Sequence, residues 1–251
     1  MPHPLSMTGK HVVVTGAGSG IGRATAILLS ELDASLVLVG RDSAKLARTK
    51  DMLLGGKATI EAFDFSDTDA IVDWLRLAAC RTQKFHGLVH CAGIQSFNPL
   101  RTLTVKAMER LFRVNTFSAA MLLKAMQYPD CGADHASVVL VSSTAAIRAT
   151  PANGAYGASK AALLSFVRTF AMELVDRHIR LNAVVPALVD TEMVRDVRSL
   201  MTVDAFSALE GQHPMGIGRP EDVAYTIAFL LSDAARWITG VAVPVDGGVS
   251  A

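Results

Sequence analysis

The sequence predicts an α/β fold: a single doubly wound domain with a seven-stranded parallel sheet flanked by helices. Three observations predict it. Short β-branched runs alternate with longer amphipathic segments along all 251 residues, the pattern of repeated βαβ units. Several of these runs are almost wholly apolar, as strands covered on both faces are. The first run leads straight into a Gly-rich turn that opens a helix, Thr15-Gly16-Ala17-Gly18-Ser19-Gly20-Ile21-Gly22, which is how a dinucleotide-binding βα unit begins.

In chain order, strands are expected over 11–15, 35–39, 58–63, 87–91, 137–142, 179–185 and 241–245. Helical patterns fill the gaps at 21–32, 43–54, 68–82, 104–126, 155–176 and 221–231. No linker, internal repeat or low-complexity tract interrupts them, so 1–251 reads as one domain for cofactor binding and catalysis. The main irregular stretch is 190–219, with Gly211, Pro214, Gly216 and Gly218. A long loop at that place is a candidate substrate lid.

Composition narrows the function classes. Apolar residues make up 51% and charged residues 19%, which suits a globular core. A net charge of +1 offers no basic field for nucleic acid or an anionic membrane surface. Nothing approaches the ~20 consecutive apolar residues of a membrane span. No secretory leader is visible over residues 1–10. Cys80, Cys91 and Cys131 lack CxxC spacing and read as reduced thiols of a cytoplasmic protein.

The candidate site residues fall at the ends of the expected strands. Glycines in the turn Thr15 to Gly22 let the backbone approach a phosphate, and the helix N-terminus offers unpaired N–H groups and positive dipole. The second strand ends Val39-Gly40-Arg41-Asp42, where an acid would hold an NAD ribose and an Arg would take the 2′-phosphate of NADP. Arg41 offers a planar charged fork for phosphate; equally it is a solvated surface Arg paired with Asp42. Asp64, before Phe65, accepts from an adenine amino group or caps the next helix. His90, Ala92 and Gly93 form a small-residue turn after the fourth strand, where the backbone would border a cofactor. His90 has no ligand partners at metal spacing, and no metal site is expected.

Asn115 lies inside a helical pattern and needs a polar partner there: a water or carbonyl near Lys160, or a generic buried hydrogen bond. A hydroxyl at Ser142-Ser143, on the sheet's carboxyl edge, could polarise a carbonyl oxygen. Tyr156 and Lys160 lie four apart in a run of helix formers and so project from one face. An ammonium close to a phenol lowers its pKa from roughly 10, and the pair would then transfer protons near neutral pH.

Together these residues resemble the short-chain dehydrogenase/reductase family, in its short single-domain branch, with similarity to 3-oxoacyl-(acyl-carrier-protein) reductases. The resemblance runs from Gly9 to Gly248 and covers the Gly-rich turn, Asp64, Ala92-Gly93, Asn115, Ser143, Tyr156-x-x-x-Lys160, Asn182 and Thr191. Ser143 precedes Tyr156 by thirteen positions, as is usual in the family; Ser142 is displaced by one. The family implies a Rossmann domain and a nicotinamide cofactor that performs the hydride chemistry. It implies Tyr156 as acid/base, Lys160 on the nicotinamide ribose, Ser143 on the substrate oxygen and Asn115 in a relay through Lys160. The carboxamide end would meet Thr191 and backbone from Pro186 to Val189.

Three departures stand out. His90-Cys91 replaces the usual Asn-Asn, and Pro186-Ala187 the usual Pro-Gly. If position 187 needed positive φ, Ala would cost on the order of 1 kcal/mol. Ser19 stands where many NADP-preferring members carry a basic residue. The resulting expectation is an oxidoreductase acting between NADP(H) and a carbonyl or secondary alcohol, assembled as a homotetramer or dimer. The alternatives are an NAD-linked alcohol dehydrogenase and a non-catalytic dinucleotide sensor. Candidate pocket residues are Gln95, Ser96, Phe97, Ala145, Asn153, Leu188 and Met193. They carry no Arg/Lys cluster and leave the small-molecule substrate open.

Overall fold

The computed structural model describes residues 3–55, 57–199 and 201–251. Met1 and Pro2 of the N-terminal stretch and Leu200 of the expected lid lie outside the described residues. Seven parallel strands form one sheet in the order β3-β2-β1-β4-β5-β6-β7. They are β1 (His11–Thr15), β2 (Ser35–Gly40), β3 (Ala58–Ala62), β4 (Phe85–His90), β5 (Gly132–Val141), β6 (Arg180–Pro186) and β7 (Ala242–Val245). The helices are α1 (Gly20–Glu31), α2 (Ser43–Asp51), α3 (Ile71–Arg81), α4 (Val105–Phe112), α5 (Ser118–Met126), α6 (Gly154–Glu173), α7 (Glu192–Ser199), α8 (Val203–Glu210) and α9 (Pro220–Leu231).

The period-2 geometry of the strands divides the core into two layers. Val13, Val37, Leu88 and Val138 face one way and pack with Leu75 of α3, Leu122 of α5 and Leu163 of α6. Their neighbours Val12, Val14, Leu36, Leu38 and Val139 face the other way, against Leu29 of α1, Leu46 of α2 and Ile227 of α9. Near-continuous apolar runs follow from this, because both faces of each central strand are covered. The winding direction reverses between β1 and β4, which opens a crevice at their carboxyl ends.

Three expectations change in the structure. The helix expected over 104–126 is broken by a wide π turn, Arg113–Phe117, between α4 and α5. Strand β5 starts at Gly132, before the expected 137, and pairs first with Phe85. A register shift between Phe85 and Gly87 absorbs the polar run Asp134-His135, whose turn-like composition hid this end of the strand. The stretch 190–219 is largely helical: it holds α7 and α8, the latter capped by Thr202, whose side chain accepts from Ala205 N. Each of these helices has eight residues, too few for periodicity to stand out from a Gly- and Pro-punctuated background.

The last strand is attached through a buried side chain. Asn182 on β6 donates from Nδ2 to Ile238 O (3.0 Å), and its Oδ1 accepts from Val241 N (3.2 Å). Asn182→Ala strands both backbone groups and should cost about 1–3 kcal/mol. Urea unfolding checks this, and a midpoint unchanged from the wild type would show that β7 does not depend on Asn182.

Candidate active site

A cavity of about 430 Å³ lies along the carboxyl edge of the sheet. Its floor is the crevice between β1 and β4. There the backbones nearly touch: Gly16 has φ +66°, and a Cβ on it would sit 2.9 Å from Ala92 N. Only glycine allows that approach. The turn then opens α1, and the anion preference of its N-terminus is visible. Glu192 of α7 accepts from Gly20 N at 3.0 Å and pairs with Arg23 at 3.2 Å. Arg23 also reaches Thr49 Oγ1 (3.2 Å) and Gly18 O, tying the turn to α2. A phosphate-bearing ligand suits a turn that already accepts a carboxylate.

Most of the predicted residues line this cavity. Gly16, Ser19, Gly20, Ile21, Gly22, Arg41, Asp64, Phe65, Ala92, Gly93, Ser143, Tyr156, Lys160, Pro186, Val189 and Thr191 all do so. Arg41 is exposed and forms no ion pair with Asp42 among the described residues. Asp42 Oδ1 instead accepts from Ala44 N and Lys45 N, both at 3.0 Å, and caps α2. Lys45 also lines the cavity; as one of three basic residues on an exposed helix it carries no sequence signal. Asp64 Oδ1 accepts from Ser66 N at 2.9 Å. It does not cap α3, which starts at Ile71.

Thr15, His90 and Asn115 lie behind the cavity wall and brace it. Their bonds form two connected sets. Ser118 Oγ donates to Val114 O, so it accepts from His90 Nε2 (2.9 Å); His90 Nδ1 then accepts from Thr15 Oγ1 (2.9 Å). Thr15 Oγ1 accepts in turn from Ala92 N (3.1 Å). Burial, with the Lys160 charge acting in the same direction, holds His90 down at about 3, so the imidazole stays neutral in this arrangement. His90 therefore contributes its side chain to the brace rather than its backbone to the cavity. Cys91 does line the cavity, where burial pushes its thiol up to about 12 and keeps it protonated at neutral pH.

Asn115 sits in the π turn, fully buried. Its Oδ1 accepts from Ile94 N (2.8 Å), and its Nδ2 donates to Ile94 O (2.9 Å) and Ser159 Oγ (3.0 Å). Ser159 Oγ donates to Tyr156 O (2.7 Å). Asn115 thus fixes the chain after β4 and the first turns of α6 together. Ser142 donates to Lys160 O (2.9 Å) and is occupied structurally. Ser143 Oγ accepts from Ala145 N (3.2 Å) and faces the cavity.

Lys160 and Tyr156 share a face of α6, as their spacing requires, but their electrostatics differ from expectation. Lys160 Nζ donates to Val141 O at 2.8 Å. Burial lowers Lys160 to about 8. Burial raises Tyr156, and the Ser143 hydroxyl beside it opposes the rise. Lys160 Nζ is hydrogen-bonded to the backbone of β5 rather than to the phenol. Ala187 lies outside the positive-φ residues, so its replacement of glycine costs no backbone strain.

A family model described as Enoyl-(Acyl carrier protein) reductase matches residues 16–250. The chain belongs to the short-chain dehydrogenase/reductase family. It is 33% identical over 248 residues to an L-rhamnose 1-dehydrogenase (NAD(P)(+)) of Sphingomonas sp., covering 97% of each chain. It is 29% identical to the 3-oxoacyl-(acyl-carrier-protein) reductase of Thermotoga maritima, over 98% of this chain and 99% of that one. A short-chain dehydrogenase/reductase structure from Serratia marcescens matches with a TM-score of 0.90 and 27% identity, covering 99% of this chain and 100% of that one. As a member, the chain is an oxidoreductase acting on alcohol or carbonyl substrates, and the family uses NAD(P).

Six of the seven expected pocket residues line the cavity; Ser96 does not, and its hydroxyl donates to Asn98. Sequence reasoning missed Arg148, Gln212, His213 and Val249, which close the end nearest Ser143. They come from three separate segments and share no spacing that would announce them. Among the described residues no group of three or more His, Cys, Asp or Glu could hold a metal.

Burial of Lys160 predicts a pH dependence of stability. Between about 8 and 10.5 the unfolded chain keeps the Lys160 proton while the folded chain has released it, so folding becomes more favourable as pH rises. Below that window both states are protonated, and the fold carries the cost of a buried ammonium. The wild type should therefore gain stability relative to Lys160→Met as pH rises through the window. Urea titrations at several pH values measure this, and a constant difference would refute the buried cation.

Proposed function

We propose that the chain interconverts a carbonyl and a secondary alcohol using NADP(H), with Tyr156 as the acid/base. The observation that carries this reading is the meeting of Ser143, Tyr156 and Lys160 on one wall of a cavity whose far end is the Gly-rich turn with Arg41 and Lys45. The Gly-rich turn and Gly93 would hold a nicotinamide cofactor, which would supply or accept the hydride when bound. Ser143 Oγ takes its own hydrogen bond from Ala145 N, which leaves its proton to donate toward the substrate oxygen. Tyr156 is protonated at neutral pH through burial and can hand its proton to the nascent alkoxide during reduction. In oxidation the phenolate must form first, so oxidation should speed up with rising pH while reduction stays level through neutrality. Lys160 binds the nicotinamide ribose and Thr191 the carboxamide end. Asn115, which touches none of the cavity, acts by positioning Ile94 and α6.

The preference for NADP rests on two adjacent cations, Arg41 and Lys45, and on the engagement of Asp42 Oδ1 in capping. The NAD-linked reading keeps one support, since the rhamnose dehydrogenase is named for both cofactors. Residues 190–219 serve as the substrate lid, and the one domain 1–251 holds both functions. We place the protein in the cytoplasm as a homotetramer. Exposed Val105, Met108, Phe117 and Met172 on the helical faces support assembly.

Tyr156→Phe should lower kcat by about 10²–10⁴ while leaving the Kd for NADPH unchanged. Steady-state assays with a carbonyl panel and fluorescence binding check this, and retained turnover would remove Tyr156 from the chemistry. Replacing Arg41 and Lys45 by Ala should cut kcat/KM with NADPH about tenfold or more and leave NADH nearly unaffected. Equal losses with both cofactors would point to the NAD-linked enzyme.

A further inference from the structure

We propose that Arg148 selects substrates carrying a carboxylate, so that the ketones and alcohols handled here are oxo and hydroxy acids. This rests on the reading of the site given above and adds the substrate class to it.

Arg148 follows Ser143 by five residues, on the segment between β5 and α6, and lines the same cavity as Ser143 and Tyr156. Arg41 and Lys45 follow β2, and three steps across the sheet separate β2 from β5. At roughly 4.8 Å per step the two cationic ends lie far enough apart for separate ligands. Arg148 is therefore not part of the dinucleotide end.

Its side chain is exposed to water and has no acidic partner among the described residues. None of the ion pairs among the described residues includes it. Of the carboxylates on nearby segments, Glu192 is committed to Gly20 and Arg23, Asp190 to Arg195, and Asp246 to Gly248 and Ser250, and neither Glu210 nor the carboxylate of Ala251 pairs with Arg148 among the described residues. Among the described residues Arg148 has two long, neutral contacts, from Nη1 to Val249 O and from Nη2 to Gln212 Oε1, both 3.4 Å. These hold the guanidinium from two sides and leave donors over, and a carboxylate matches that planar fork. Phe97, Ala145, Leu188, Val197 and Leu209 also line the cavity, a surface suited to a hydrocarbon spacer. With a single cation at this end, a monoanion is matched and a phosphate dianion is not.

The test compares a series of 3-oxo to 7-oxo fatty acids with their methyl esters, using NADPH and the full chain. For at least one spacer length the wild type should reduce the acid with kcat/KM about tenfold above its ester, through KM. Arg148→Met should lose that preference with ester kinetics unchanged, and Arg148→Lys should restore part of it. Parallel losses for acid and ester would reduce Arg148 to a clasp on Gln212 and Val249, and overturn the proposal. So would the absence of any acid preference in the wild type. If no ketone is turned over, the reading of the reaction fails separately. Calorimetry of heptanoate against the NADP⁺-loaded protein then decides: binding lost in Arg148→Met upholds the carboxylate site, and equal or no binding rejects it.

Discussion

The near-contact of Gly16 with Ala92 across the β1–β4 crevice is the constraint on which the rest of the site hangs. The sheet changes winding direction there, so the loops on either side diverge and leave a cavity between them. Such a crevice has to be held open at a fixed width. His90 does this, joining Thr15 on β1 to Ser118 at the start of α5, while Thr15 fixes Ala92 N. The imidazole serves because each of its nitrogens finds one partner and burial keeps it neutral. A charged group in that position would leave a buried donor without an acceptor.

The π turn extends the same brace toward the chemistry. Widening the helix at Arg113–Phe117 brings Asn115 to Ile94, on the chain leaving β4, and to Ser159 on α6. Through Ser159 the bonding reaches the backbone of Tyr156. On the other side, Ser142 and Val141 of the β5 end hold the backbone and ammonium of Lys160. The two residues of the pair are thus set by different supports. The Lys160 ammonium is directed to a β5 carbonyl rather than to the phenol.

The helices α7 and α8 join both halves of the cavity. Glu192 reaches back to the Gly-rich turn, and Met193, Val194 and Val197 contribute apolar wall. His213, just beyond α8, accepts from Leu188 N through Nε2, which requires Nδ1 to donate to Leu209 O. These contacts link the segment after β6 to the Gly-rich turn and to the end occupied by Arg148. The oxidoreductase chemistry of the family is therefore enclosed by pieces of chain far apart in sequence.

The sequence by itself determined the sheet, its two-sided burial, the Gly-rich turn and the shared face of Tyr156 and Lys160, and the family resemblance added Ser143. These are legible because period-2 and period-3.6 patterns and short fixed spacings are local properties of the chain. Only the tertiary structure decided what lies between those landmarks. It turned His90 from a border residue into a brace and showed Asp42 as a helix cap. It brought Lys45 to the cavity that Arg41 lines and placed Arg148 with Gln212 and Val249. Which side chains share a cavity depends on strand order and on where separate loops converge, and neither is written in the spacing of residues along one segment.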